Sequence, residues 1–112
     1  MITLYHNPRC SKSRSCLHLL EQQDVQLEVV NYINQPLSIE RLKQFADHLG
    51  LRNIVREQEA IYQELDLATA DDNSLLKALV EHPQLLQRPI VVSGTKMLLA
   101  RPPEKVLELL ND

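Results

Sequence analysis

The sequence predicts an α/β fold built on a four-stranded mixed sheet, in which a parallel βαβ half, a helical insertion and a ββα half form a single domain over residues 1–112. Three observations predict it. A strand pattern, a helix pattern and a second strand pattern occupy residues 2–32, a spacing that joins parallel strands through a crossover. The middle of the chain carries helical periodicity and no strand signal. Two short β-branched runs around a glycine turn then precede a helix that opens on prolines.

Ile2-Thr3-Leu4-Tyr5 is short, β-branched and aromatic and reads as a buried strand. Asn7-Pro8 breaks it. A helix follows from Ser11 to about Gln22, with a stripe that begins at Ser13 and continues through Cys16, Leu17 and Leu20. Leu27 to Tyr32 is the second strand. Ser38 suits the N-cap of a helix whose inner face carries Ile39, Leu42, Phe45, Ala46 and Leu49, and Gly50 suits its left-handed end. Residues 52–67 are weakly periodic and suit one or two short helices around Ile54, Val55, Ile61, Tyr62 and Leu65. Asp71 or Asp72 starts a helix bearing Leu75, Leu76, Leu79 and Val80, which stops at His82-Pro83. Ile90-Val91-Val92 and Met97-Leu98-Leu99 flank the four-residue turn Ser93-Gly94-Thr95-Lys96 as a hairpin. Pro102 and Pro103 pre-set the first turn of a last helix that buries Val106, Leu107 and Leu110. A βαβ half followed by a ββα half is the thioredoxin arrangement.

The 44% hydrophobic and 24% charged content is that of a soluble globular chain rather than a disordered one. A net charge of −3 provides no general affinity for nucleic acid. No apolar run approaches the roughly 18 residues of a membrane span. The amino terminus lacks the apolar segment of a secretory signal, and two cysteines fit a reducing compartment, so a cytoplasmic location is expected. With no heptad pattern, a monomer is expected.

Charge is unevenly placed along this acidic chain. The first twenty residues hold Arg9, Lys12 and Arg14 and no Asp or Glu, whereas the other 92 carry nine basic and fifteen acidic residues. Cys10 stands in that positive stretch, at a strand-to-helix turn where free N–H groups and cations favour a thiolate and attract an anion. Ser13 and Arg14 lie three and four residues on, near the same side of the helix, while Lys12 points elsewhere. His6, at the end of the first strand, reaches the same space. A protonated His6 or Arg14 is expected to depress the Cys10 pKa. Cys16 shares its stripe with Leu17 and Leu20 and reads as a core thiol. Six helical residues span about 9 Å, beyond the roughly 7 Å that a disulfide tolerates between Cα atoms, so Cys10 and Cys16 do not pair within an intact helix. A Cys-x-x-Cys pair is denied by Ser13, and a Cys-x5-Arg loop by Cys16. His18, His48 and His82 read as helix-surface or helix-end residues, and the cysteines and histidines show no metal-ligand spacing.

The stretches Tyr5-His6-Asn7-Pro8-Arg9-Cys10 with Ser13-Arg14, Val55-Arg56, Gln87-Arg88-Pro89-Ile90-Val91-Val92 and Ala100-Arg101-Pro102 make nearly the whole chain resemble the glutaredoxin-coupled arsenate reductases of thioredoxin-like fold. The resemblance implies that Cys10 attacks arsenate. It implies that Arg56, Arg88 and Arg101 bind the oxyanion and its thiol adducts, that His6 favours the thiolate, and that Pro89 is a cis-proline before the third strand. It implies glutathione as co-substrate, glutaredoxin as partner, and no tightly bound cofactor or metal. Arginine forks suit a tetrahedral anion and keep their charge near neutral pH. The hairpin itself sets Arg88 and Arg101 side by side, whereas Arg56 joins them by resemblance only. The family loop usually reads Cys-Gly-Thr-Ser-Arg where this chain has Cys10-Ser11-Lys12-Ser13-Arg14. Two other readings stay open: a glutathione-linked thiol oxidoreductase acting on another substrate, and an RNA polymerase-binding regulator of the same fold, whose usual Cys-x-x-Cys switch is absent here.

Overall fold

A computed structural model describes residues 1–110 of the chain. They fall into two compact units: Met1–Gln35 together with the segment from Arg88 onward, and Pro36–Gln87.

The first unit holds the sheet. Strand β1 (Ile2–His6) pairs in parallel with β2 (Leu27–Asn31) and antiparallel with β3 (Ile90–Ser93), and β3 pairs antiparallel with β4 (Lys96–Leu99). The order β2-β1-β3-β4 makes the mixed, thioredoxin-like sheet expected from the element order. Central strands β1 and β3 are buried over most of their length, as their mainly apolar residues require. Strand β2 is an edge, with Glu28 exposed and Val29 42% exposed. The β3–β4 hairpin is tighter than the four-residue turn expected, because Ser93 and Lys96 pair with each other and leave only Gly94-Thr95 in the turn. Gly94, at φ 61°, supplies the positive φ that so short a loop needs.

Helix α1 (Ser11–Glu21) crosses from β1 to β2 and buries Ser13, Cys16 and Leu20. Its apolar side joins Ile2, Leu4, Val91, Ala100 and Val106 in one core. Burying each large aliphatic side chain there contributes about 1.5–3 kcal/mol. The closing segment is a 3-10 turn (Pro103–Val106) that runs into a short helix, Leu107–Leu110. Val106 is fully buried, but Leu107 and Leu110, expected to be buried, are only half covered and lean on that core.

The Pro36–Gln87 unit is helical throughout. Helix α2 (Ile39–Leu49) is capped by the Ser38 hydroxyl, which accepts from the Arg41 amide at 3.1 Å, and buries Leu42 and Phe45. Ile39 is 39% exposed, since in the first turn it precedes the buried stripe. Gly50 has the positive φ expected of it (90°), but its ψ of 126° is extended rather than left-handed. The physical reason is local: the Asn53 side chain takes the Leu49 carbonyl at 2.8 Å, and the chain enters a 3-10 turn at once (Leu51–Ile54). A short helix (Ala60–Glu64) and a 3-10 turn (Leu67–Thr69) follow, and they bury Tyr62 and Leu67. Leu65, expected inside, is 43% exposed because the left-handed Asp66 turns the chain and Leu67 takes the interior place. The next helix, Asp72–Glu81, is capped by Asp71, whose Oδ1 accepts from the Ser74 amide at 2.8 Å. A further 3-10 turn at Pro83–Leu85, assigned to no element from the sequence, brings Leu85 and Leu86 against the Ile54–Arg56 segment. No helix of the described residues is long and apolar enough to cross a membrane.

Candidate active site

Everything in the Cys10 loop follows from how β1 hands over to α1. Asn7 to Cys10 is a β-turn with asparagine first and proline second, closed by the Cys10 amide donating to the Asn7 carbonyl at 3.0 Å. The Asn7 side chain folds back and its Oδ1 accepts from the Arg9 amide at 3.0 Å. Cys10 is then the N-cap of α1, in extended geometry (φ −92°, ψ 121°). Its sulfur makes no full cap bond, yet the Lys12 and Ser13 amides are directed at it.

Burial pushes the Cys10 thiol up, and this is the largest single influence on it. The Ser13 amide, a side-chain hydrogen bond from Arg88, the Lys12 amide and the Arg88 charge together outweigh burial and hold the thiol below its ordinary value. Cys16 is the reverse case: fully enclosed, it has its thiol pushed up to about 12 by burial alone. Native alkylation is therefore expected to add one group per chain, at Cys10, with a second only after unfolding; mass spectrometry that found both thiols modified at similar rates would refute this.

The expected source of activation was wrong in part. His6 is buried, and burial first, then the Arg14 charge, lowers its own pKa, so it is not the cation beside the thiol. Arg14 does not lower the Cys10 pKa either. Its side chain is exposed and Nη1 donates to the Pro8 carbonyl at 2.9 Å, bracing the turn. Ser13 does not open its hydroxyl to the anion space. That hydroxyl lies beneath the loop, hydrogen-bonded to His6 Nδ1 at 2.6 Å and accepting from the Asn7 amide at 3.1 Å. Ser13→Ala is thus expected to reduce stability by about 1–3 kcal/mol in urea unfolding, since both partners stay buried with nothing to bond; a change under about 0.5 kcal/mol would contradict this role.

The hairpin delivers two arginines. Ile90 pairs with both Tyr5 and Leu99, so Arg88-Pro89 comes alongside the end of β1 and Arg101 comes alongside Arg88. The Ala100 amide donates to the Pro89 carbonyl at 2.9 Å, and Arg101 Nη1 donates to the Arg88 carbonyl at 3.1 Å. The Arg88–Pro89 bond is cis, and so is Arg101–Pro102. Arg56 belongs to the helical unit, where its amide donates to the Leu85 carbonyl at 2.7 Å and its Nε lies 3.7 Å from Glu59 Oε1. Sequence reasoning missed Asn7 as a structural member of the loop, although Asn-Pro is a turn signal. It also missed that Arg88, rather than a nearby cation of the loop, would activate the sulfur. No cluster of three or more His, Cys, Asp or Glu among the described residues is arranged to hold a metal.

Residues 5–109 match the ArsC family. The chain is 42% identical over 110 residues to an arsenate reductase of Neisseria meningitidis (serogroup B, strain MC58), with 94% of each chain covered. It is also 42% identical over 115 residues to the uncharacterized protein YfgD of Escherichia coli strain K12, covering 98% of this chain and 97% of that one. A solved structure of an arsenate reductase from Vibrio cholerae superposes with a TM-score of 0.90 at 43% identity, over 96% of this chain and 95% of the other. A match that begins at the residue before His6, runs past Arg101 and keeps the same backbone path leaves one conclusion: this chain belongs to the ArsC family.

Proposed function

We propose that this protein reduces arsenate to arsenite through a Cys10 adduct, with glutathione and glutaredoxin as the reductants. The observation that carries the reading is the Arg88 hydrogen bond to the Cys10 sulfur, which puts a fixed positive fork beside a thiol held below its ordinary value. The Cys10 thiolate attacks arsenic and one arsenate oxygen leaves as water. A glutathione thiolate then attacks the Cys10 sulfur of the adduct. The electron pair of the sulfur–arsenic bond goes to arsenic, which departs as arsenite, and Cys10 is left in a mixed disulfide with glutathione. Glutaredoxin removes the glutathionyl group by thiol exchange and restores the thiolate. Arg88 and Arg101 hold the arsenate oxygens, with Arg56 as the third arginine of the set. His6, Ser13, Arg14 and Pro89 support the loop and the arginine fork. Cys16, enclosed in the core, takes no part, so the second electron-donating thiol comes from solution.

The test is a coupled assay with arsenate, glutathione, glutaredoxin, glutathione reductase and NADPH. The expected result is arsenate-dependent NADPH consumption; none above a Cys10→Ser control would overturn the proposal. A second reading, a glutathione-linked thiol oxidoreductase with another substrate, needs only the Cys10 thiol and the Ser13 amide, Lys12 amide and Arg88 that hold it below its ordinary value. Arg101→Ala separates the two. On the first reading it impairs arsenate turnover while leaving glutathione exchange at Cys10 intact; glutathione exchange with no arsenate turnover in the unsubstituted protein would favour the second reading.

A further inference from the structure

A groove of about 450 Å³ runs along α1 from just beyond the nucleophile, lined by Ser11, Arg14, Ser15, His18, Leu19 and Glu104. It lies wholly within the unit that holds Cys10. Its walls carry opposite charges, the Arg14 guanidinium from α1 and the Glu104 carboxylate from the closing 3-10 turn. These two do not form an ion pair. The Arg14 side chain donates back to the Pro8 carbonyl. The side chains of Glu104, Ser11 and Ser15 have no hydrogen-bond or ionic partner among the described residues. Half-buried Leu19 adds an apolar patch. From Ser11 to His18 the groove extends about 10 Å along the helix axis.

A ligand that matches these walls is short, carries both a carboxylate and an ammonium group, and offers peptide groups to the two hydroxyls. To matter for Cys10 it must also bring a reactive sulfur to the Ser11 end. In an extended tripeptide of about 10 Å the thiol sits on the central residue, so seating the terminal residue that carries both the ammonium and a carboxylate in the groove brings the sulfur to the Ser11 end. We infer that this groove seats a zwitterionic tripeptide thiol of the glutathione class, a carboxylate turned to Arg14 and the ammonium to Glu104, so that its sulfur meets Cys10. The identity of the ligand rests on the glutathione-dependent chemistry proposed above. The groove and its paired charges do not.

The test omits arsenate, so that it can fail independently of that chemistry. Cys10 is treated with oxidised glutathione: its thiolate attacks one sulfur, the glutathione disulfide breaks, a Cys10–glutathione disulfide forms, and one glutathione leaves as thiolate. Mass spectrometry follows the rate. Glu104→Gln is expected to slow the reaction about three-fold, the size of one exposed ion pair. It is expected to leave unchanged the rate with oxidised glutathione acetylated at its amino groups, which has no ammonium to pair. The sign is diagnostic. Glutathione is a net anion, so removing a carboxylate would speed its approach if only the overall field mattered. An unchanged or faster reaction of the variant, an equal loss with the acetylated peptide, or a Cys10 that does not react at all would each overturn the inference. Loss of the Glu104 effect alongside intact arsenate reduction would refute the groove and spare the proposed function.

Discussion

Replacing Cys10 by serine is expected to remove arsenate reduction altogether, a loss of at least about 10⁴-fold into the uncatalysed background. The substitution changes one atom, and what it removes is chemical. A hydroxyl does not ionise near neutral pH, so the Ser13 and Lys12 amides and Arg88 have no thiolate to stabilise. Oxygen also cannot give up the electrons that reduce arsenic or form the mixed disulfide. Fold stability should survive, because serine is a favoured N-cap and the Lys12 and Ser13 amides stand where a cap acceptor belongs. The coupled assay and a urea midpoint measured on the same preparation check both halves. Appreciable residual turnover in a folded variant would mean that electrons enter elsewhere, and Cys16 is too enclosed to supply them.

Arg88→Ala should have the second largest effect, and on two readouts at once. Arg88 lowers the Cys10 pKa through a hydrogen bond and through its charge, so its loss moves the pH midpoint of Cys10 alkylation upward. Its loss also strips one fork from the anion seat, and kcat/KM for arsenate is expected to fall about 10²–10³-fold, as when a preorganised oxyanion donor is deleted. Arg88→Lys keeps the charge without the planar fork and should recover the midpoint better than the turnover. Lys12→Ala is the control: it removes an ammonium but keeps the amide that faces the sulfur, so the midpoint should stay where it is. A midpoint that moved with Lys12→Ala and not with Arg88→Ala would reverse the assignment of what ionises this thiol.

The contrast between Lys12 and Arg88 also marks where sequence reasoning stopped. A positive loop without acidic residues was legible and pointed to an ionised Cys10. The agent was not, because it depends on which cation reaches the sulfur. Arg14, one helical turn away, bends back to the Pro8 carbonyl, whereas Arg88, 78 positions along the chain, arrives through the hairpin. Hairpin register did predict that Arg88 and Arg101 are neighbours, since strand pairing is periodic and readable. Cys16 was legible for the same reason, by its place on the helical stripe. His6 was misjudged because its pKa is set by burial, and burial is a property of the packed unit. Leu65 and Ile39 were misplaced by end effects, where a chain reversal or a first helical turn overrides the stripe.

Periodicity, caps and turn residues act within a few positions of one another, so the residue order by itself determined the element sequence, the mixed sheet, the core thiol and the cysteine at the helix start. Depth of burial and the meeting of distant side chains depend on how those elements pack. Only the tertiary structure decided that a neutral, buried His6 and Ser13 support the loop from below. It alone supplied the guanidinium at the Cys10 sulfur and set Arg14 and Glu104 across one groove.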